Sequence, residues 1–297
     1  MSTLASTATG TTPLRTSRRR DLRALAVVEA GRYARHPLFL AGVAGTAAIS
    51  ATGPDADTSS LFHAIVPAAA IGLVGIVLMW LLTRRSDTLA SAAGVTPVSE
   101  RTRTAALAAA AVVPFTAGLA WWAWALATYA VSPPPPEGFP FGPADQIGWV
   151  AAVLFGLGPL ACLGGPVLGL LVARWTRGRA APAVTVVLVV GVTIVMQGLF
   201  EPLHRVRVVM PWTYWGGPLG DENDPMSVLP GSPGWWVVHV ACLSALGVIL
   251  ALLHDRERPR RRLLMAGGVV ATVSVIACLL AMWTGIPEEL FNPLRPA

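Results

Sequence analysis

Seven long apolar stretches, separated by short polar segments, restrict the fold of this chain more than any other feature of its sequence. A bilayer has a hydrocarbon core of about 30 Å, which a helix of about 20 apolar residues can cross. Only 13% of the 297 residues are charged, whereas soluble domains carry about a quarter. The sequence therefore predicts an all-α, polytopic transmembrane helical bundle of about seven spans (six to seven). The predicted spans are residues 38–53, 62–83, 105–131, 147–173, 181–200, 235–253 and 263–283.

The distribution of arginine predicts how this bundle lies in the membrane. All 22 basic residues are arginine, and an excess of Lys and Arg marks cytoplasmic loops. With the N-terminus inside, 19 arginines fall in inner segments and 3 in outer segments. We therefore predict a multi-pass protein of the cell (plasma) membrane with a cytoplasmic N-terminus. The inner segments are 1–37, 84–104, 174–180 and 254–262, and the outer segments are 54–61, 132–146, 201–234 and 284–297.

The chain divides into a short polar tail and one membrane domain. Residues 1–21 are rich in Ser, Thr and Arg, and they predict a disordered, basic cytoplasmic N-terminus. Residues 22–297 form a single transmembrane domain with an inner loop at 84–104 and an outer loop at 201–234. The arginines lie between apolar stretches instead of in one polar domain, so we expect contact with the lipid bilayer and none with nucleic acid.

Residues that could carry chemistry are scarce in the predicted spans. Asp and Glu are absent from all seven stretches, although ionisable groups at membrane depth usually mark ion paths. Cys162, Cys242 and Cys278 lie in different spans and predict no disulfide. Glu201 and His204 have the spacing of metal ligands, but no clear third ligand accompanies them. We therefore predict no catalytic residue, no metal and no cofactor.

Small and helix-breaking residues inside the spans predict local features of packing. Gly165 and Gly169 form a G-x-x-x-G pair, which allows two helices to approach closely. A proline within a helix removes a backbone hydrogen bond and bends the helix. Four prolines fall inside the predicted spans, at Pro67, Pro114, Pro159 and Pro166.

The inner loop between the second and third spans carries signals for a short helix of its own. Ser86 or Asp87 is a suitable N-cap, Gly94 is a suitable residue after a helix end, and Pro97 blocks continuation. The pattern predicts a helix of about two turns over residues 87–95, with Leu89, Ala92 and Ala93 on one face. Ser99 is then placed to cap the next helix. A helix this short is marginal in water, so we expect it to dock on another surface.

Three features of the chain resemble the permease subunit of ABC-2-type ABC transporters of the exporter kind. The basic stretch that ends in Arg35-His36-Pro37-Leu38-Phe39-Leu40 is similar to their lead-in to the first span. The loop Ser86–Arg103, with Gly94-Val95-Thr96-Pro97-Val98-Ser99, resembles their coupling-helix segment, and the large outer loop 201–234 precedes the sixth span as in those permeases. One departure is the span count, because the family usually has six.

The resemblance implies partners and site residues. In that family, the loop after the second span docks on a separate ATPase subunit, and two permease subunits (a homodimer or a heterodimer) complete the transporter. The absence of lysine, and therefore of a P-loop, agrees with ATP binding in another chain. The implied ATPase-coupling residues are Asp87, Leu89, Ala92, Ala93, Gly94, Val95, Pro97 and Glu100.

Two other function classes stay open at this point. A membrane-embedded enzyme, such as a lipid-linked transferase, would need a cluster of acidic residues or histidine at a membrane face. Its candidates here are Glu201 with His204 and the acidic run Asp221–Asp224. A membrane scaffold protein would need no docking helix in the inner loop. The outer loop likewise allows two interpretations, a segment that covers an exit path or a solvated cap.

Overall fold

The computed structural model describes most of the chain. The described residues are 14–52, 63–92, 98–131, 143–199, 203–213, 215–217, 227–256, 259–287 and 290–291. Ten α-helices and three two-residue strands lie within these ranges. The helices are α1 Leu14–Ala34, α2 Pro37–Ala51, α3 Val74–Ala92, α4 Glu100–Ala110, α5 Val112–Val131, α6 Pro143–Phe155, α7 Ala161–Trp175, α8 Ala181–Gln197, α9 Pro233–Leu253 and α10 Arg261–Trp283. The strands are β1 Gly216–Gly217, β2 Ser227–Val228 and β3 Leu290–Phe291.

The apolar stretches of the sequence coincide with helices, as predicted. Within the described ranges, five helices have the length and composition to cross a membrane. The apolar helices α2 and α8 are shorter, with 15 and 17 residues, which at 1.5 Å per residue span about 22 and 26 Å. The protein is therefore a helical bundle of the membrane type. The five long helices are Ala68–Ala92, Glu100–Val131, Ile147–Trp175, Pro233–Leu253 and Arg261–Trp283.

Proline distorts three of the predicted spans. A π-helical segment, Ala68–Leu73, follows Pro67 and leads into α3. A second π-helical segment, Gly156–Leu160, contains Pro159 and joins α6 to α7. The separation of α4 from α5 falls at Ala111, one turn before Pro114, because Pro114 has no N–H to donate to the preceding turn. These helices are continuous in direction but locally irregular.

Helix α3 and helix α7 pack backbone against backbone, as the G-x-x-x-G pair predicted. A Cβ on Gly165 would overlap the carbonyl oxygen of Gly72, and a Cβ on Gly169 would overlap that of Ile76. From the other side, a Cβ on Gly72 would lie 2.9 Å from the carbonyl oxygen of Ala161. Because no side chain separates the two helices along this line, α3 and α7 form one stiff pair.

The interior contains two main apolar clusters. One, near the end of the bundle where α6 and α9 begin, is rich in tryptophan and includes Trp149, Trp215 and Trp236. The other contains Tyr33, Phe39 and residues from α3, α4 and α7. The three cysteines are free, which confirms the prediction that they form no disulfide.

Two sequence predictions about the ends of helices are wrong. Residues 14–21, predicted to be disordered, form the start of α1, which packs against α4; residues 1–13 lie outside the described ranges. Helix α3 continues through Ser86 and Asp87, so neither residue caps a separate helix. Starting a new helix is costly whereas extending one adds a hydrogen bond per residue, and residues 76–92 contain no Gly or Pro to stop α3.

The described part of the outer loop forms a folded cap on α9 and α10. A 3-10 turn, Leu203–Val209, is followed by β1, and β2 pairs in an antiparallel manner with both β1 and β3. Arg207 is fully buried, donates to the carbonyl oxygens of Pro230 and His204, and lies 5.1 Å from the ring centre of Trp215. We call this end of the bundle the cap end. The cap is packed on the helices.

Candidate functional site at the arginine-rich end

Four helices of the bundle meet at the end opposite the cap, and charged residues join them there. Asp87 is near the end of α3, Glu100 is the first residue of α4, Arg174 is in the last turn of α7, and His254 directly follows α9. We call this the arginine-rich end, and we call Asp87, Glu100, Arg103, Arg174 and His254 the ion-pair cluster.

Arg174 lies at the centre of the ion-pair cluster. Its side chain is 3% exposed, and its Nη1 donates to Oδ1 of Asp87 at 2.8 Å and to Oδ2 at 3.0 Å. The same Nη1 lies 4.0 Å from Oε1 of Glu100, and Nη2 of Arg103 lies 3.7 Å from Oδ1 of Asp87. A buried charge needs close partners of opposite sign, and these two carboxylates supply them.

A second set of contacts joins α4 to the segment after α9. Nδ1 of His254 lies 2.5 Å from Oε1 of Glu100. The ring of Trp175 packs edge-on against the histidine ring, with the two ring centres 5.6 Å apart. The backbone N–H of Arg101 donates to Oδ2 of Asp255 at 3.2 Å. The first turn of α4 is therefore held against the end of α9.

Helix α4 begins where the sequence predicted. Ser99 has an extended backbone conformation, and its Oγ accepts from the N–H of Thr102 at 3.3 Å, which confirms Ser99 as the N-cap. Glu100 then lies in the first turn, where a negative charge interacts favourably with the helix dipole. The Ser99 N-cap thus fixes where the Glu100 carboxylate projects.

The structure brings together some of the predicted coupling residues and leaves others undescribed. Asp87 and Glu100 meet through Arg174. Leu89 and Ala92 lie in the last turns of α3, and both are exposed, Leu89 to 51%. The remaining four, Ala93, Gly94, Val95 and Pro97, lie outside the described residues.

Sequence reasoning missed the central residue of the cluster. Arg174 lies 87 positions after its partner Asp87, and His254 lies 154 positions after Glu100. An arginine in the last turn of a helix is common, because it complements the helix dipole. No local signal therefore distinguished Arg174 from the other arginines at this end.

The end of α3 exposes one large apolar side chain beside the cluster. The hydroxyls of Thr88 and Ser91 donate back to the carbonyl oxygens of Arg84 and Thr88 in their own helix. Their hydrogen-bonding groups are thus occupied, and Leu89 between them is the apolar surface that this turn presents. Such a turn can contact an apolar pocket of another chain.

A second candidate site is an apolar groove between α2, the π-helical segment Ala68–Leu73 and α5. It has a volume of about 310 Å³, within the range of small-ligand pockets. Its two hydroxyl groups have partners: Thr46 donates to the carbonyl oxygen of Gly42, and Ser50 accepts from Nε1 of Trp121 at 3.0 Å. The groove is suited to apolar groups. Its lining residues include Val43, Ile71, Ala117, Ala120 and Trp124.

The candidate residues for an enzyme or a metal site gain no support from the described ranges. Within those ranges, no group of three or more His, Cys, Asp or Glu side chains is close enough to hold a metal ion. His204 is buried in the cap, while Glu201 and the run Asp221–Asp224 fall outside the described residues.

Comparisons with known proteins return no match. No protein-family model, no curated protein and no solved structure matches this chain. Any functional assignment therefore depends on the residues and contacts described above.

Proposed function

We propose that this chain is the membrane-spanning permease subunit of an ABC-2-type transporter, an exporter that works with a second permease subunit and a separate ATPase. The observation that carries the proposal is the arrangement at the end of α3 and the start of α4. Asp87 on α3 and Glu100 on α4 both approach the buried Arg174. Helix ends anchored in this way can pass force from a docked partner into the bundle.

The lengths of the helices support docking at this loop. Helix Ala68–Ala92 has 25 residues and helix Glu100–Val131 has 32, so they extend over about 37 Å and 48 Å. Both exceed a hydrocarbon core of about 30 Å. Their charged residues, from Arg84 to Asp87 and from Glu100 to Arg103, lie at the same end. The excess length thus carries the end of α3 and the start of α4 beyond the hydrocarbon core, within reach of a water-soluble ATPase.

The charge distribution supports a cytoplasmic position for this end. Arg84 donates to the carbonyl oxygen of Thr176, and Arg101 donates to that of Pro259, so three arginine-containing segments of the sequence meet here. Arg205 and Arg207 are the only arginines in the described part of the cap. By the positive-inside tendency, the arginine-rich end faces the cytoplasm, and the protein belongs in the cell membrane.

One substitution tests the docking surface directly. Leu89→Arg places a charge on the exposed turn of α3, and losing a buried Leu contact costs about 2 kcal/mol, or roughly a 30-fold weaker association. The matched control is Gly178→Arg, which adds the same charge between α7 and α8, where an added Cβ meets no atom within 4 Å. Leu89 lies beyond the predicted span 62–83, after Arg84 and Arg85, and Gly178 lies between α7 and α8.

The measurement is affinity purification of the tagged chain in mild detergent, followed by ATP hydrolysis of the purified material. We expect wild type and Gly178→Arg to retain an ATPase at a fixed ratio and to hydrolyse ATP, and Leu89→Arg to lose both. Full ATPase retention and turnover by Leu89→Arg would remove the loop as the docking element. A wild-type protein that binds no ATPase would favour the enzyme or scaffold alternatives.

A further inference from the structure

We infer that Arg174 is a positioning residue that transmits movement of the ends of α3 and α4, at Asp87 and Glu100, to α7 and α9. The inference rests on the proposed function and concerns the same site. It assigns a role to a residue that lies in a different helix from either carboxylate and that is buried within the bundle.

The first argument is electrostatic. Asp87 and Glu100 are both acidic and flank one short loop, so without a cation between them their carboxylates would repel each other and the flanks would separate. Arg174 lies between the two, in contact with both oxygens of Asp87 and 4.0 Å from Glu100. It therefore fixes the spacing of the flanks.

The second argument concerns what lies behind Arg174. Helix α7 is packed on α3 through Gly165 and Gly169, with backbone facing backbone, so a force on Asp87 displaces the two helices together. Glu100 continues the route on the other side, because its carboxylate contacts His254 at the end of α9. The residues Asp87, Arg174, Glu100 and His254 thus connect α3, α7, α4 and α9.

The third argument concerns charge and reach. One nitrogen of Arg174, Nη1, bonds to both oxygens of Asp87 and faces Glu100, while Nε and Nη2 have no hydrogen-bond partner among the described residues. The contact therefore depends on a positive charge at this point, which a lysine ammonium group can supply in part. Arg103 adds a weaker contact to Asp87 at 3.7 Å, but its side chain belongs to α4 and cannot join the loop to α7.

The experiment compares four variants with the wild-type complex of chain and ATPase. Arg174→Gln removes the charge, Arg174→Lys keeps it on a different side chain, and Asp87→Asn combined with Arg174→Gln removes both charges of the pair. The control is Arg177→Gln, which removes an exposed arginine three residues beyond Arg174. The readouts are the ratio of ATPase to permease, and the KM and kcat of ATP hydrolysis.

We expect Arg174→Gln to keep the ATPase ratio and the KM for ATP within twofold of wild type while kcat falls at least tenfold. Arg174→Lys should give an intermediate kcat, the double variant should have the kcat of Arg174→Gln alone, because both changes break the same contact, and Arg177→Gln should match wild type. A residue with only a structural role would instead lower yield and ATPase binding together. If Arg174→Gln does not yield folded protein, the double variant decides, since it leaves no unpaired Asp87 carboxylate and a wild-type kcat would show that the ion pair is not needed.

Failure of the proposed function and failure of the role of Arg174 give different results. A wild-type chain that binds no ATPase overturns the proposed function. A wild-type complex that hydrolyses ATP, together with Arg174→Gln or the double variant at wild-type kcat, overturns only the role of Arg174.

Discussion

Two glycines in α2 should differ in stability when each is replaced by alanine. A Cβ added at Gly42 would lie 2.5 Å from the carbonyl oxygen of Ala70 and 3.3 Å from its carbonyl carbon. A Cβ added at Gly45, three residues on, would meet no atom within 4 Å. Both glycines lie inside α2, so Gly42→Ala and Gly45→Ala differ mainly in what surrounds the new methyl group.

The expected magnitudes follow from these distances. Replacing Gly by Ala inside a helix favours the helix by up to about 1 kcal/mol, and this gain applies at both positions. At Gly42, the methyl group falls about 0.9 Å short of the ordinary 3.4 Å contact distance. The clashing atom belongs to the backbone of the π-helical segment, so no rotamer change relieves it, and overpacking costs about 1–3 kcal/mol.

The assay is thermal unfolding in mild detergent, followed by the fluorescence of the 11 tryptophans. We expect Gly45→Ala to unfold above wild type and Gly42→Ala to unfold below Gly45→Ala. A separation of about 1–3 kcal/mol corresponds to roughly 2–12 °C, at about 2–4 °C per kcal/mol. Equal midpoints for the two variants would refute the close approach of α2 to the π-helical segment.

Two further predictions concern a buried hydroxyl and the orientation of the chain. Tyr33 is fully buried, burial raises the pKa of its phenol, and its hydroxyl has no hydrogen-bond partner among the described residues. Tyr33→Phe should therefore leave the free energy of unfolding unchanged or raise it by up to about 1 kcal/mol. A clear loss of stability in thermal unfolding would show that the hydroxyl has a hydrogen-bond partner. Single cysteines at Gly178 and Thr284, in a chain without native cysteine, should label from opposite sides of the membrane. An impermeant maleimide should reach Thr284 in intact cells and Gly178 only after permeabilisation, and the reverse pattern would contradict a cytoplasmic arginine-rich end.

Local patterns in the sequence predicted the features that depend on near neighbours. The apolar stretches predicted the helices, because length and composition alone decide which segments suit a membrane. Gly165 and Gly169 predicted a close helix contact, and Ser99 predicted the start of α4, since a cap depends on the three residues that follow it. In each case the signal itself lies within a few residues, although Gly165 and Gly169 contact Gly72 and Ile76 in a distant part of the sequence.

The features that the sequence did not predict depend on distant neighbours or on competition between signals. The contact of Arg174 with Asp87 requires α3 and α7 to lie side by side, which no local pattern encodes. Ser86 and Asp87 are good cap residues, yet extension of the existing α3 outweighs a new start. The sequence therefore predicted the two carboxylates of the candidate site, Asp87 and Glu100, but not the Arg174 cation between them.

The small sheet of the cap has a consequence for the order in which the molecule is completed during synthesis. Strand β2 pairs with β3, and Gly231 pairs with Ile286, so the segment before α9 is joined to residues that follow α10. Domains fold as the ribosome releases them, from the N-terminal side onward. The ribosome must therefore finish α10 before the cap can close, and until then the segment before α9 waits without its partner strand.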